Sequence, residues 1–288
     1  MVTTLHKRDN EFTIDRIDDF EKFGFIADYY PPNTDGNYAV VVLGGSEGGK
    51  PTYLAEKIVS LGYAVLSLAY FNFNKFLPSE LEMIPLEYFE NTKKWILSKN
   101  EIRKDGLILA GWSKGAELAL ILSSRDQIYK GVVAIGPSSA VWPGIIKNWH
   151  RKPNSSWSIN KKPLPFVSFV IQNEAPKKLV DLYMRSLQVL EDSNKETIDF
   201  DKIQNPVLLL SGSLDIIWPS EMMAGYICTK LNKLNHINRP LCTHFNYKNA
   251  GHLLDERFDL GGTKEANHKA NIDSTKKIKE FLKSINQI

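Results

Sequence analysis

The sequence predicts an α/β fold, a doubly wound and mostly parallel sheet carrying a lid insertion. Three observations predict it. From residue 38 onwards, short strand-sized apolar runs alternate with amphipathic helical stretches. A Gly-x-Ser-x-Gly turn stands directly between one such run and a helix, and an aspartate and then a histidine follow that serine, each just beyond a later strand.

The runs Tyr38–Leu43, Tyr63–Tyr70, Leu107–Ala110, Gly131–Ile135, Pro206–Leu210 and Leu241–Tyr247 are expected as strands. Several are apolar throughout, as strands buried on both faces are. Helices are expected at Thr52–Leu61, closed by Gly62, and at Leu86–Ser98, Lys114–Ser124, Ser220–Leu231 and Ile272–Ile285. The earlier segments Glu11–Ile17 and Phe23–Tyr29 suit antiparallel strands that open the sheet. One stretch breaks the rhythm: Val141 to Asn205 separates two strands expected to be neighbours and carries Trp142, Trp149 and Trp157, several prolines and one helical run near Pro176–Leu190. A connection this long is more often a lid than a loop. The chain is therefore expected to be one catalytic domain, 1–288, with a lid insertion at about 141–205.

Composition bounds the function. Apolar residues make up 43% and charged residues 24%, enough for a large core. With 36 basic and 33 acidic residues the net charge is +3, which gives no whole-protein attraction to nucleic acid or membrane. No apolar run reaches the length of a membrane span, and the first twenty residues hold no signal-peptide core. Cys228 and Cys242 lack metal-ligand spacing, and two free thiols in a reducing cytoplasm are expected.

Two segments match Gly-x-Ser-x-Gly, at 44–48 and 111–115, and a near miss falls at 136–140, so context must choose. An elbow serine needs a strand end before it and a helix start after it. Ser113 has both, while the helix after Ser46 is delayed by Gly48-Gly49-Lys50-Pro51, and none opens after Ser138. Gly111 and Gly115 suit positions where a Cβ would collide with the neighbouring strand or helix. Acyl transfer also needs two backbone N–H groups aimed at the developing oxyanion. Lys114 supplies one, at a helix N-terminus whose dipole helps. The glycine-rich loop GGSEGG supplies the other, with Ser46 the first choice and Glu47 the second. This loop lacks the Lys-Ser/Thr ending of a P-loop and the spacing of a dinucleotide fingerprint.

A serine hydroxyl requires a neutral imidazole to take its proton and a carboxylate to orient that imidazole. Asp215, in Ser-Gly-Ser-Leu-Asp after the strand Pro206–Leu210, and His252, in Asn-Ala-Gly-His after Leu241–Tyr247, fit the order Ser, Asp, His of an α/β-hydrolase fold. His6, His150, His236 and His268 lie in the opening segment, the lid or helix-flanking segments, His244 falls inside a strand, and Asp199 and Asp201 precede their strand. The machinery needs no metal and no cofactor.

Beyond these residues, the segments GGSEGG (44–49), LAYF (68–71), IPLEYFE (84–90), GWSKGAELAL (111–120), SSAVW (138–142) and PVLLLSGSLDIIWPSEMMA (206–224) resemble the catalytic domain of acyl-CoA thioesterases. This family also holds bile acid-CoA:amino acid N-acyltransferase. The resemblance runs over most of 38–258. It implies a nucleophile at 113, an acid at Asp215, a base at His252, and a small-molecule acyl-CoA substrate. The transferase uses cysteine where this chain has Ser113, so hydrolysis is the expected outcome rather than transfer to glycine or taurine. The family's animal members carry an N-terminal β-sandwich, whereas the stretch before Tyr38 is expected to hold the opening strands alone. A carboxylesterase or dienelactone-hydrolase-like enzyme on small oxygen esters stays the alternative.

The lid has its own charge pattern. From Gln127 to Asn173 there is no Asp or Glu, yet Lys130, Lys147, Arg151, Lys152, Lys161 and Lys162 fall there. One reading is a solvated basic surface. The other is a landing site for CoA phosphates, with Arg151 and Lys152 as phosphate ligands and Trp149 or Trp157 stacked on adenine.

Overall fold

The computed structural model describes residues 12–148, 150–171, 178–193, 197–233 and 241–287. In chain order its elements are β1 (Asp15–Ile17), α1 (Phe20–Phe23), β2 (Ile26–Tyr30), β3 (Asn37–Leu43), α2 (Thr52–Val59), β4 (Val65–Ala69), β5 (Ile84–Pro85), α3 (Tyr88–Leu97), β6 (Ile102–Trp112), α4 (Lys114–Ser123), β7 (Tyr129–Ile135), β8 (Trp157–Ile159), β9 (Lys162–Pro163), α5 (Leu179–Ser193), β10 (Val207–Gly212), α6 (Ser220–Lys233), β11 (Cys242–Tyr247) and α7 (Lys264–Asn286).

Eight of the strands form one sheet in the order β1-β2-β4-β3-β6-β7-β10-β11. β2 pairs antiparallel with β1 and β4, and from β4 to β11 every pairing is parallel. This is the doubly wound α/β-hydrolase sheet that the alternation of apolar runs predicts. Alternate residues of each central strand feed opposite cores. Val41, Leu43, Leu107 and Leu109 pack with α3, α4 and α6, while Val40, Val42, Ile108 and Ala110 pack with α2 and α7. α4, directly behind the elbow, is buried along all ten of its residues.

Element boundaries differ from expectation where capping decides them. α7 begins at Lys264, because the Thr263 hydroxyl accepts the Ala266 N–H at 3.1 Å as an N-cap. Asp19 caps the four-residue α1, which ends on Gly24 in the left-handed conformation.

The expectation of two free thiols is wrong. Cys228 on α6 and Cys242 at the start of β11 form a disulfide across a sequence separation of 14. Their approach follows from topology, since α6 packs on β10 and β11, and Asn232 bonds both backbone groups of Cys242. The ground for expecting a reducing cytoplasm is thereby removed. Among the described residues no helix is long and apolar enough to cross a membrane.

The described parts of segment 141–205 join the rest of the chain through a second sheet and an apolar cluster. β8 pairs with β5 and β9 in a small second sheet. Trp142, Tyr183 and Leu187 join Trp218 and Met223 in a separate apolar cluster.

Candidate active site

The three singled-out side chains follow β6, β10 and β11, strands of one sheet in which β7 lies between the first two. Ser113 follows β6 directly, at φ 54° and ψ −123°, and its N–H donates to Ile135 O at 2.9 Å. A non-glycine residue at positive φ stores strain of ~1–3 kcal/mol, held here by close packing on both sides. A Cβ at Gly111 would lie 2.2 Å from Gly115 O, and one at Gly115 would lie 2.2 Å from Leu43 O. Both glycines are therefore required by space, and the turn presents Ser113 at the start of α4, 8% exposed.

Asp215 lies on the loop after β10 and His252 on the loop after β11. His252 Nδ1 and Asp215 Oδ2 are 2.7 Å apart. The carboxylate is further held by the N–H groups of Ile217 and Trp218 and by the Ser220 hydroxyl at 2.6 Å. Trp218 packs edge-on against the imidazole, with centroids 5.4 Å apart, and its indole N–H donates to Gly136 O. Gly136 is the meeting point: it follows Ile135, which holds the Ser113 amide, and a Cβ on it would lie 3.0 Å from His252 Cε1. The other ring nitrogen, Nε2, is buried and has no hydrogen-bond partner. A buried imidazole nitrogen left open in this way is suited to accept a proton from a group that enters its face.

The two loops are clasped by a strap that the sequence did not point to. Gly261 bridges Asp215 and Gly262 bridges Ala250, each in an isolated β-bridge, and both glycines have positive φ. Asn267 on α7 accepts the Gly251 N–H at 2.7 Å and donates to Gly261 O. The signal was the Gly-Gly pair nine and ten residues after the histidine, which only close backbone contact explains.

Among the expected oxyanion residues, Lys114 is the first residue of α4, so its N–H has no intrahelical acceptor. Gly45 packs on Ser113, since a Cβ there would lie 3.1 Å from Ser113 Cβ. Ser46 is exposed in the turn closed by Gly48 N–H to Gly45 O. The Tyr70 hydroxyl secures the loop by donating to Gly44 O at 2.5 Å. Ser138, the near-miss serine, is buried and takes the Trp142 indole N–H at 2.7 Å, which makes it part of the packing.

The Lys114 side chain was not expected where it is. Its ammonium is buried against Glu117, at 2.9 and 3.1 Å from the two carboxylate oxygens. The Trp157 indole N–H donates to Glu117 Oε1 at 2.7 Å and the Trp142 N–H at 3.2 Å. Burial pushes the Lys114 ammonium down and the Glu117 carboxyl up, and their mutual attraction opposes both shifts.

This network corrects the expectation for Trp157: its ring is fully buried and its donor is used, so it offers no face to an adenine. Arg151 is also committed, with both guanidinium N–H groups on Glu82 at 2.8 and 2.7 Å, which holds the Glu82 carboxyl below its ordinary range. Lys152 is exposed. Trp149, His6 and His236 lie outside the described residues. His244 faces Ser211, 2.7 Å from its hydroxyl, and His268 pairs with Glu256, so neither belongs to the site.

A family model described as "BAAT / Acyl-CoA thioester hydrolase C terminal" matches residues 84–258. Acyl-coenzyme A thioesterase 6 of Homo sapiens is 26% identical over 276 residues, covering 88% of this chain and 61% of the relative. Acyl-coenzyme A thioesterase 2, mitochondrial, of Mus musculus is 29% identical over 269 residues, covering 88% of this chain and 56% of the relative. The chain thus spans less than two thirds of the length of these relatives. Among solved structures, an esterase of Pyrococcus furiosus superposes with a TM-score of 0.58 at 13% identity, covering 99% of this chain and 97% of the esterase, a likeness of fold.

Proposed function

Because the chain belongs to the BAAT / acyl-CoA thioester hydrolase C-terminal family, we propose that it is a serine hydrolase that cleaves acyl-CoA to free acid and CoA. The observation that carries the mechanism is the Asp215–His252 pair, whose buried, open Nε2 shares the Ile135–Gly136 strand end with strained Ser113. In this reading the Ser113 hydroxyl attacks the thioester carbonyl and His252 Nε2 takes its proton, while Asp215 holds Nδ1 and favours the imidazolium. The N–H groups of Lys114 and Ser46 receive the oxyanion, with Glu47 N–H the second choice for the latter. The C–S bond then breaks, and the CoA thiolate leaves with little need of a proton because thiols ionise near ~8.5. His252 hands its proton to the departing thiolate and, neutral again, deprotonates the water that attacks the acyl-Ser113 ester, returning that proton to Ser113 Oγ as the acid is released. The same proposal treats the chain as one catalytic unit, with segment 141–205 reaching the base through Tyr183 against Trp218 and Trp218 against His252.

A second reading, hydrolysis of small oxygen esters, draws support from the buried Trp157 and the paired Arg151, which leave fewer groups for CoA than the sequence suggested. The test is steady-state kinetics on an acyl-CoA series and on p-nitrophenyl esters of the same acyl chains, with Ser113→Ala as control. The thioesterase reading expects a higher kcat/KM on the CoA series and loss of turnover in Ser113→Ala by at least ~10³-fold. Preference for the oxygen esters at every chain length would transfer the assignment to the second reading, and an active Ser113→Ala would end both.

A further inference from the structure

The loop that follows β3 and the elbow that follows β6 must hold a fixed spacing, because each contributes one oxyanion amide in the mechanism above. One side chain joins them. Glu47 folds back over its own loop, and its Oε1 accepts the Gly45 N–H at 2.9 Å and the Trp112 indole N–H at 2.7 Å. Trp112 is the last residue of β6, immediately before Ser113, and Gly45 immediately precedes Ser46. The carboxylate therefore spans the two segments beside the nucleophile. A Cβ on Gly45 would lie 2.8 Å from Glu47 Oε2, 3.1 Å from Ser113 Cβ and 3.3 Å from Trp112 O. The indole is fixed from its other side, edge-on to Phe258 at 5.5 Å, on the loop that carries His252.

We propose that Glu47 is a positioning residue that sets the separation of the two oxyanion amides by bridging Gly45 to Trp112. The inference rests on the serine-hydrolase reading and deepens it. The function falls to a carboxylate held at one oxygen by two donors, and not to a charge directed at substrate. A negative charge this close to a developing oxyanion opposes it, so charge alone cannot be the benefit. The two N–H donors answer much of that charge, and the net gain is geometric. Misplacing an oxyanion donor by about 1 Å costs up to ~10²-fold in rate. A structural residue with no such role would lower stability and leave kcat alone.

Four variants test it: Glu47→Ala, Glu47→Gln, Trp112→Phe and the double Glu47→Ala/Trp112→Phe, each read by kcat, KM and the affinity of a trifluoromethyl ketone that forms a tetrahedral adduct on Ser113. Glu47→Ala is expected to lower kcat ~10- to 100-fold with KM within about twofold, and to weaken the ketone in parallel. Glu47→Gln keeps an oxygen for both donors and is expected to hold kcat within about threefold of wild type. Trp112→Phe, which removes the indole donor and keeps one aromatic ring, should lower kcat in the same direction, and the double variant should be no worse than the poorer single. Should Glu47→Ala not fold, the Gln and Phe variants alone decide. Unchanged kcat in Trp112→Phe, additive losses, or a Gln variant as poor as Ala would overturn the bridge while Ser113-dependent turnover of wild type stands. Wild-type turnover that survives Ser113→Ala would overturn the serine-hydrolase reading and the bridge together.

Discussion

The strand ends that carry Ser113, Asp215 and His252, and the segment 141–205 beside them, are held in place by different means. At the strand ends the backbone does the positioning. Glycines 111, 115, 136, 212, 251, 261 and 262 sit where a Cβ would meet backbone or ring atoms at 3.0 Å or less, and turns and bridges fix the loops. In segment 141–205 side-chain pairs are added to the backbone pairing of β8 with β5 and β9: the Trp142 N–H and the Trp157 indole converge on Glu117, Arg151 on Glu82, and Tyr183 on Trp218. The first mode tolerates almost no substitution. The second is a set of pairs, each of which can be removed and weighed.

The largest effect is expected at the backbone-positioned site. Asp215 is bound to His252 and to three other donors, which suits the orienting role proposed for it. Asp215→Asn and His252→Ala should each lower kcat by ~10³–10⁴, and the double variant should be no worse than the poorer single. Losses that multiply in the double-mutant cycle would show that the two residues do not form one unit.

Next comes the buried pair that links the two regions. Lys114 and Glu117 have side chains 1% and 0% exposed, so removing either strands a charge. Glu117→Ala should cost ~3–5 kcal/mol of stability in urea unfolding, whereas Lys114→Met with Glu117→Gln, which keeps an oxygen for the Trp142 and Trp157 N–H groups, should recover much of it. A Glu117→Ala protein as stable as wild type would mean that the pair is not what anchors Trp142 and Trp157.

These two modes also explain what could be read in advance. The sheet was legible because its strands are apolar on both faces and separated by helices, and the site was legible because Gly111, Gly115 and the order Ser113, Asp215, His252 are local patterns. The side-chain pairs are long-range. Trp157, flanked by lysines, resembles a surface aromatic, and only the fold brings it to Glu117, forty residues earlier. Arg151 resembles a free phosphate ligand because Glu82 is 69 residues away. The Cys228–Cys242 pairing was missed because compartment, rather than the helix-to-strand return between α6 and β11, guided the expectation.

That disulfide sharpens the comparison at a third level. It staples α6 to β11, away from the three loops of the site. Closing a loop of this length constrains the unfolded chain by about 3 kcal/mol. Cys228→Ser/Cys242→Ser should unfold at lower urea concentration by a comparable free energy, with kcat within about twofold of wild type. A drop in kcat without loss of stability would assign the bridge to the site instead.

The smallest effect is expected in the basic surface of segment 141–205. If Arg151 is committed to Glu82, it has little left for a substrate phosphate, and Lys152, exposed beside it, is the better candidate. Lys152→Ala should then raise KM for acyl-CoA about two- to threefold at low salt, and the double variant Arg151→Ala/Lys152→Ala should raise it no further. The increase should fade in high salt, where screening shortens to ~3 Å at 1 M, and a p-nitrophenyl ester of the same chain should show none of it. An additional rise in the double variant would mean that Arg151 leaves Glu82 when CoA binds. Equal effects on both substrates would instead make the two residues supports of segment 141–205, acting on any acyl group through the packing between Tyr183 and Trp218.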